Sequence, residues 1–151
     1  MIILDPDKSN DLRQKYVDTF IDRNIDLYVE RILRLIEFSD GLCYTGYLWD
    51  CFQSPNVIPE IEIMQKLKGK KNVYIMWDIH SVDNIHIPNY WKYPKNRVLF
   101  VDEWSEELRN DLPEDIYIFD DSFTWSAVYT HETDINEEPY CLFQSNRENI
   151  D

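Results

Sequence analysis

Glycine is scarce in this chain. Its 151 residues include only three glycines, Gly41, Gly46 and Gly69, and neither a GxGxxG nor a GxxxxGK spacing occurs. Loops that cradle phosphates need several glycines at fixed spacing, because the backbone must turn sharply and approach the phosphate closely. The scarcity of glycine therefore excludes the common nucleotide-binding enzymes.

Cysteines are few, and long apolar runs are missing. Cys43, Cys51 and Cys141 are odd in number and form no CxxC pair. Such usage fits reduced thiols in the cytosol better than a disulfide framework. The start of the chain, Met1 to Asp7, lacks the basic and apolar regions of a signal peptide. No stretch approaches the roughly 18 apolar residues that span a bilayer. We expect a cytoplasmic protein with free thiols.

Basic residues are nearly missing from the last third of the chain. The formal net charge is −14. Residues 1 to 100 hold 13 Lys or Arg against 14 Asp or Glu, whereas residues 101 to 151 hold 2 against 15. A segment of that charge repels phosphate backbones and anionic lipids. The charge disfavours a nucleic-acid or membrane partner and favours a cationic protein.

The composition indicates one folded domain over residues 1–151. Hydrophobic residues make up 44% of the chain and aromatic residues 15%. That content supplies a packed core without the help of a metal or a disulfide. The length is also common for a single domain.

Periodicity predicts helices first and strands later. Helical spacing of apolar residues runs from about residue 10 to 37, with Ser9 or Asn10 as the N-cap. Further helices are predicted over 43–52, from Pro59 to Gly69 and over 105–110. Five strands are predicted over 72–80, 97–101, 115–120, 124–132 and 140–144. The predicted fold is α+β, with N-terminal helices, one of them long, packed on a mixed, mostly antiparallel five-stranded C-terminal sheet.

The residues that could carry chemistry follow no known catalytic pattern. The histidines are His80, His86 and His131, and none belongs to an HExxH motif or lies beside a CxxC pair. We therefore expect no metal, no cofactor and no enzymatic activity. The alternative is a hydrolase that uses His131 with Glu132 and Asp120.

The densest run of acids is the segment from Asp102 to Asp121, called the acidic segment below. It carries nine carboxylates against one base, Arg109, and their mutual repulsion is not explained by a structural role alone. Aromatic anchors surrounded by acids suit a partner rich in lysine and arginine. The predicted partner-binding residues are Asp102, Glu103, Trp104, Glu106, Glu107, Asp111, Glu114, Asp115, Asp120, Asp121, Trp91 and Tyr93. The alternative is a solvated acidic face that only maintains solubility.

Two resemblances add to this interpretation. Residues 120–125 form an Asp-x-x-Phe-x-Trp turn, and the strand that follows ends in Thr130-His131-Glu132. This stretch resembles the closing signature of a family of small bacterial domains of unknown function. In size, acidity and lack of catalytic motifs, the whole chain resembles the immunity proteins of bacterial toxin and contact-dependent inhibition systems.

The leading hypothesis is an immunity protein. It would bind a basic cognate toxin domain, with a nuclease as the favoured toxin, and occlude its active site with an acidic surface. A nuclease cleft is cationic because it holds phosphates, so a carboxylate-rich surface is steered into it quickly. We expect a monomer before binding. Two alternatives stay open, namely the hydrolase and a regulatory acidic domain without a toxin partner.

Overall fold

The computed structural model describes residues 1–83 and 87–146, which form two β-sheets and several short helices. Within these residues the strands are β1 Ile2–Ile3, β2 Ile36–Phe38, β3 Gly41–Cys43, β4 Pro55–Ile58, β5 Lys71–Met76, β6 Leu99–Glu103, β7 Ile116–Asp120, β8 Trp125–Thr133 and β9 Pro139–Ser145. Seven of them form one sheet in the order β1-β6-β5-β7-β8-β9-β4, and β2 pairs with β3 in a second sheet.

The main sheet is antiparallel at every pair of neighbouring strands. The prediction of a mixed five-stranded sheet is therefore wrong. The strands from β5 to β9 overlap the predicted ranges, but β5 ends at Met76 instead of residue 80, and β6 is Leu99–Glu103 instead of 97–101. The two strands of this sheet that were missed are β1 and β4. Both are short and largely exposed, so they lack the alternation of apolar and polar residues that signals a strand.

Both faces of the main sheet are covered, and this gives the molecule two hydrophobic cores. Along β5, Tyr74 and Met76 belong to one core while Val73 and Ile75 belong to the other. Side chains of a strand alternate between the faces, so a strand buried on both sides is apolar throughout. The two cores place a helical layer on each side of the sheet.

Helix α1, Pro6–Phe20, covers the first core. Its N-cap is Asp5, whose carboxylate accepts a hydrogen bond from the backbone N–H of Lys8 at 2.7 Å, and Pro6 begins the helix. The predicted N-cap at Ser9 or Asn10 is therefore wrong. Ser9 is buried, and its hydroxyl accepts from the backbone N–H of Val98 at 3.0 Å.

The predicted helix over residues 10–37 is also wrong, because α1 ends at Phe20. Ile21 is extended and forms an antiparallel bridge with Phe52. No glycine or proline stands at this break. Pairing with a segment 31 residues away ends the helix against the local helical spacing.

The rest of the predicted long helix takes three other conformations. Helix α2, Asp26–Tyr28, continues into a short π-helix, Val29–Leu33. The chain then forms the β2–β3 hairpin, in which Phe38 pairs with Gly41 across a two-residue turn. Gly41 has φ of +110°, a conformation that glycine adopts without the strain of a side chain.

The other helices are short. Where a helix was predicted over 43–52, the structure has only a 3-10 helix, Leu48–Cys51. The helix predicted over 105–110 is a 3-10 helix, Glu106–Asp111. Helix α3, Glu60–Leu67, follows Pro59 as predicted and buries Ile63 and Leu67 in the second core. No helix among the described residues is long and apolar enough to cross a membrane.

The strand register defines two ends of the main sheet. Met76 at the end of β5 pairs with Tyr117 at the start of β7, and Ile58 at the end of β4 pairs with Cys141 near the start of β9. We call this the upper end. At the lower end, Lys71 pairs with Glu103.

Candidate partner interface

The acidic segment does not form one continuous surface. The segment begins in β6, which ends at Glu103 at the lower end of the sheet. The chain then returns through the 3-10 helix Glu106–Asp111 to the upper end, where Ile116 begins β7. Strand β7 then returns to the lower end at Asp120. The predicted carboxylates are thus spread over both ends and one face of the sheet.

More than half of these carboxylates already have side-chain partners inside the molecule. The pairs are Glu106 with Tyr129 and Trp104, Asp111 with Lys92, Asp115 with His131, Asp120 with Trp125, and Asp121 with Tyr74. Within the described part of the chain, the acidic-segment carboxylates without such a partner are Asp102, Glu103, Glu107 and Glu114, all of which are exposed.

The aromatic anchors predicted for the interface have contrasting positions. Trp104 is 4% exposed, belongs to the second core and stacks near Tyr129 with ring centroids 6.4 Å apart. Its expected role as an exposed anchor is wrong, because the ring fills the space beneath the sheet. Trp91 is 77% exposed, and Tyr93 is half-buried with its ring 5.8 Å from that of Trp77. Trp91 is therefore the predicted aromatic residue that a partner can reach.

Asp115 is buried at the upper end, so its predicted role as a surface contact is also wrong. Its carboxylate accepts from the backbone N–H of His131 at 2.6 Å and lies 2.8 Å from His131 Nδ1. Burial raises the pKa of the Asp115 carboxyl to about 6, although the hydrogen bond and the charge of His131 act to lower it. The pair joins the start of β7 to the end of β8.

The structure does not bring the proposed hydrolase residues together. His131 and Glu132 lie near the upper end, whereas Asp120 lies at the lower end. Asp120 is separated from Asp115 by the length of β7, about 17 Å for five residues of extended strand. Asp120 instead accepts from Trp125 Nε1 at 3.0 Å.

The residues described contain no metal-binding cluster, and two of the three thiols have raised pKa values. In ranges 1–83 and 87–146, no group of three or more His, Cys, Asp or Glu side chains is arranged to hold a metal ion. His86 lies outside the described residues. All three cysteines are buried and free, and burial raises the pKa of Cys51 and of Cys141 to about 11. A thiol with such a pKa is a poor nucleophile at neutral pH.

A groove of about 610 Å³ lies at the upper corner of the sheet, beside β4. It is formed where β4 turns into α3 and where the β8–β9 hairpin extends beyond the end of β4. All its lining residues are apolar or acidic, namely Val57, Ile58, Pro59, Glu60, Ile61, Asp134, Glu138 and Pro139. Val57 is 57% and Ile61 60% exposed. The groove thus combines open apolar surface with three carboxylates.

The tip of the β8–β9 hairpin, residues 134–138, forms one wall of the groove. The Asp134 carboxylate accepts from the backbone N–H groups of Asn136 at 2.8 Å and Glu138 at 3.0 Å, which holds the turn in place. Ile135 at the tip is 97% exposed. Glu137 and Glu138 are exposed and form no ion pair in the described part of the molecule. We call the groove and this tip the acidic corner.

The sequence analysis missed the acidic corner. Three acids within five residues, Asp134 to Glu138, are visible in the sequence. Their proximity to Val57 and Ile61, however, depends on the pairing of β4 with β9. Because β4 was not predicted, the apolar half of the corner had no place in the expected fold.

Comparison with known proteins found no matching family model, no matching curated protein and no matching solved structure. The resemblances noted in the sequence therefore remain expectations.

Proposed function

We propose that this chain is an immunity-type inhibitor that acts in the cytoplasm and binds a basic polypeptide toxin, with a nuclease as the favoured toxin. The observation that carries the proposal is the acidic corner, where exposed apolar side chains lie beside Asp134, Glu137 and Glu138, which form no ion pair among the described residues. That combination suits a partner whose surface is rich in lysine and arginine. The remaining groove acid, Glu60, lies 3.8 Å from Arg109.

The two components of the corner have different roles in binding. Glu137, Glu138 and the groove carboxylates attract a cationic surface and raise the rate of association. Ile135, Val57 and Ile61 supply apolar area that leaves water when the complex forms, which slows dissociation. The last third of the chain reinforces the first effect, because residues 101–151 hold 15 acids against 2 bases.

Inhibition by this route requires no chemistry from the chain. A nuclease cleft holds phosphates with cationic side chains, so carboxylates that enter the cleft compete with the substrate for those groups. The hydrolase alternative is not retained, because Asp120 and His131 lie at opposite ends of the sheet.

Growth rescue tests the proposal. Each open reading frame that adjoins the gene would be expressed in a bacterial host, with and without this chain. We expect one neighbour to arrest growth alone and this chain to restore growth and to form a complex with the neighbour's product. If no neighbour is toxic, or if the toxic product does not bind this chain, the proposal is wrong.

Charge reversal then tests which acids steer the complex. Glu137→Lys with Glu138→Lys should slow association at low salt by about tenfold or more, because two attractive charges become repulsive. The matched control, Asp102→Lys with Glu107→Lys, reverses two exposed acids of the acidic segment and should change the rate by less than about threefold. Stopped-flow binding across a salt series measures both, and the difference should shrink at high salt. A larger effect of the control pair would assign the interface to the acidic segment instead.

A further inference from the structure

One edge of the main sheet is open. Strand β4 is last in the strand order, and within the described residues its only strand partner is β9. The strand is exposed along most of its length. An edge strand presents unpaired backbone N–H and C=O groups and is a template for pairing with another chain.

This edge lacks several of the features that protect edge strands. Edge strands are usually protected by very short length, by proline or charged side chains, by bulges or by a covering element. Strand β4 has only four residues and begins with a proline, but among the described residues it lacks the other features. Strand β4, Pro55–Ile58, carries no charged residue, and Pro55 is its only residue that cannot donate a backbone hydrogen bond. The exposed Val57 also lines the groove of the acidic corner.

The negative charge around the β4 edge favours a cationic partner segment over a second copy of this chain. A second copy of this chain would bring a formal net charge of −14 toward a surface of the same sign, which opposes self-association. A cationic segment is attracted instead, because Asp134 and Glu138 line the groove beside β4 and form no ion pair among the described residues. Glu60, the third groove acid, lies 3.8 Å from Arg109.

We infer that an extended, lysine- or arginine-rich segment of the partner adds a strand to the β4 edge of this sheet. The inference rests on the proposed function and specifies how the same corner engages its partner. The added backbone pairs with β4, and side chains alternate along an extended strand. One face therefore directs lysine or arginine side chains to the groove carboxylates, while the alternate positions lie against the exposed Val57 on the first-core face of the sheet.

Synthetic peptides test strand addition without a known partner. The probe is an alternating Lys-Val octapeptide, and the control is the same peptide with every second backbone nitrogen methylated. The control keeps the charge and the side chains but loses backbone donors. We expect the control to bind the full chain at least about tenfold more weakly by titration calorimetry. The unmodified peptide should slow hydrogen exchange about tenfold or more at one or more amides of residues 56–58.

Each other result overturns strand addition. Equal binding of the two peptides would mean that charge alone holds them, in which case the inference fails while the proposed function stands. No binding of the unmodified peptide up to about 1 mM would also overturn the inference, and growth rescue would still decide the proposed function. Sedimentation of the free chain as a dimer with protected β4 amides would show that a second copy occupies the edge.

Discussion

The acidic segment and the acidic corner carry the same type of charge and use it differently. In the acidic segment, Glu106, Asp115 and Asp120 each accept a hydrogen bond from a tyrosine, histidine or tryptophan of the fold. In the corner, Glu137 and Glu138 are exposed and have no ion-pair partner among the residues described. The density of charge along a sequence counts every carboxylate, whereas the carboxylates most available to a partner are those that, like Glu137 and Glu138, are exposed and form no ion pair among the described residues.

The aromatic content of the chain explains why the acidic segment is used internally. Buried tyrosine and tryptophan side chains need acceptors for their hydroxyl and indole N–H groups. Tyr129 and Trp104 share the carboxylate of Glu106, and Trp125 donates to Asp120. An acid placed beside these donors stabilises the fold and is less available to a partner.

The largest expected effect contrasts the two tryptophans predicted as anchors. Trp104→Ala should lower the free energy of unfolding by about 3–5 kcal/mol, because it leaves a cavity in the second core. Trp91→Ala, the matched control, should change it by less than about 0.5 kcal/mol, because Trp91 is 77% exposed. Urea denaturation measures both. Similar losses of unfolding free energy in the two variants would show that Trp104 is not a core residue.

Adjacent acids of the acidic segment provide a sharper comparison. Asp115→Ala should lower the free energy of unfolding by about 1–3 kcal/mol, because the half-buried backbone N–H of His131 loses its acceptor. Glu114→Ala removes an exposed carboxylate one residue earlier and should cost less than about 0.5 kcal/mol. Thermal and urea unfolding of the two variants would test this. A stable Asp115→Ala protein would mean that the pair with His131 is dispensable.

The pH dependence of stability should also depend on Asp115. Its pKa is raised to about 6 by burial, above the value of about 3.9 in an unfolded chain. Between these values the folded state binds more protons than the unfolded state. The contribution of Asp115 to stability is therefore present at low pH and is lost as pH rises from about 4 to 6.

Asp115→Asn, which keeps a hydrogen-bond acceptor but cannot titrate, isolates this contribution. Between pH 4 and 6 the difference in unfolding free energy between the parent and this variant should change by roughly 1–3 kcal/mol. A hydrogen bond from Lys95 lowers the pKa of Asp40, so Asp40 contributes to the pH dependence of stability with the opposite sign. This contribution is present in both proteins and cancels in the difference between them. Parallel stability curves for parent and variant would refute the raised pKa.

The sequence by itself determined the strands β5 to β9, helix α3 and the unequal distribution of charge. These features are local, because alternation of apolar and polar residues, β-branched content and a proline before a helix act within a few residues. The same local reasoning failed between residues 10 and 37, where helical spacing is present but Ile21 pairs with Phe52.

Only the tertiary structure decided which acid lies beside which hydrogen-bond donor and that β4 is an edge strand of the main sheet. Strand β7 has an aspartate just before it and one at its end, and the register with β8 decides that Asp115 lies beside His131 while Asp120 lies beside Trp125. The acidic corner likewise exists because β4 pairs with a strand more than 80 residues later in the chain. Register and long-range pairing depend on the packing of both sheet faces at once, and no local pattern of residues contains that information.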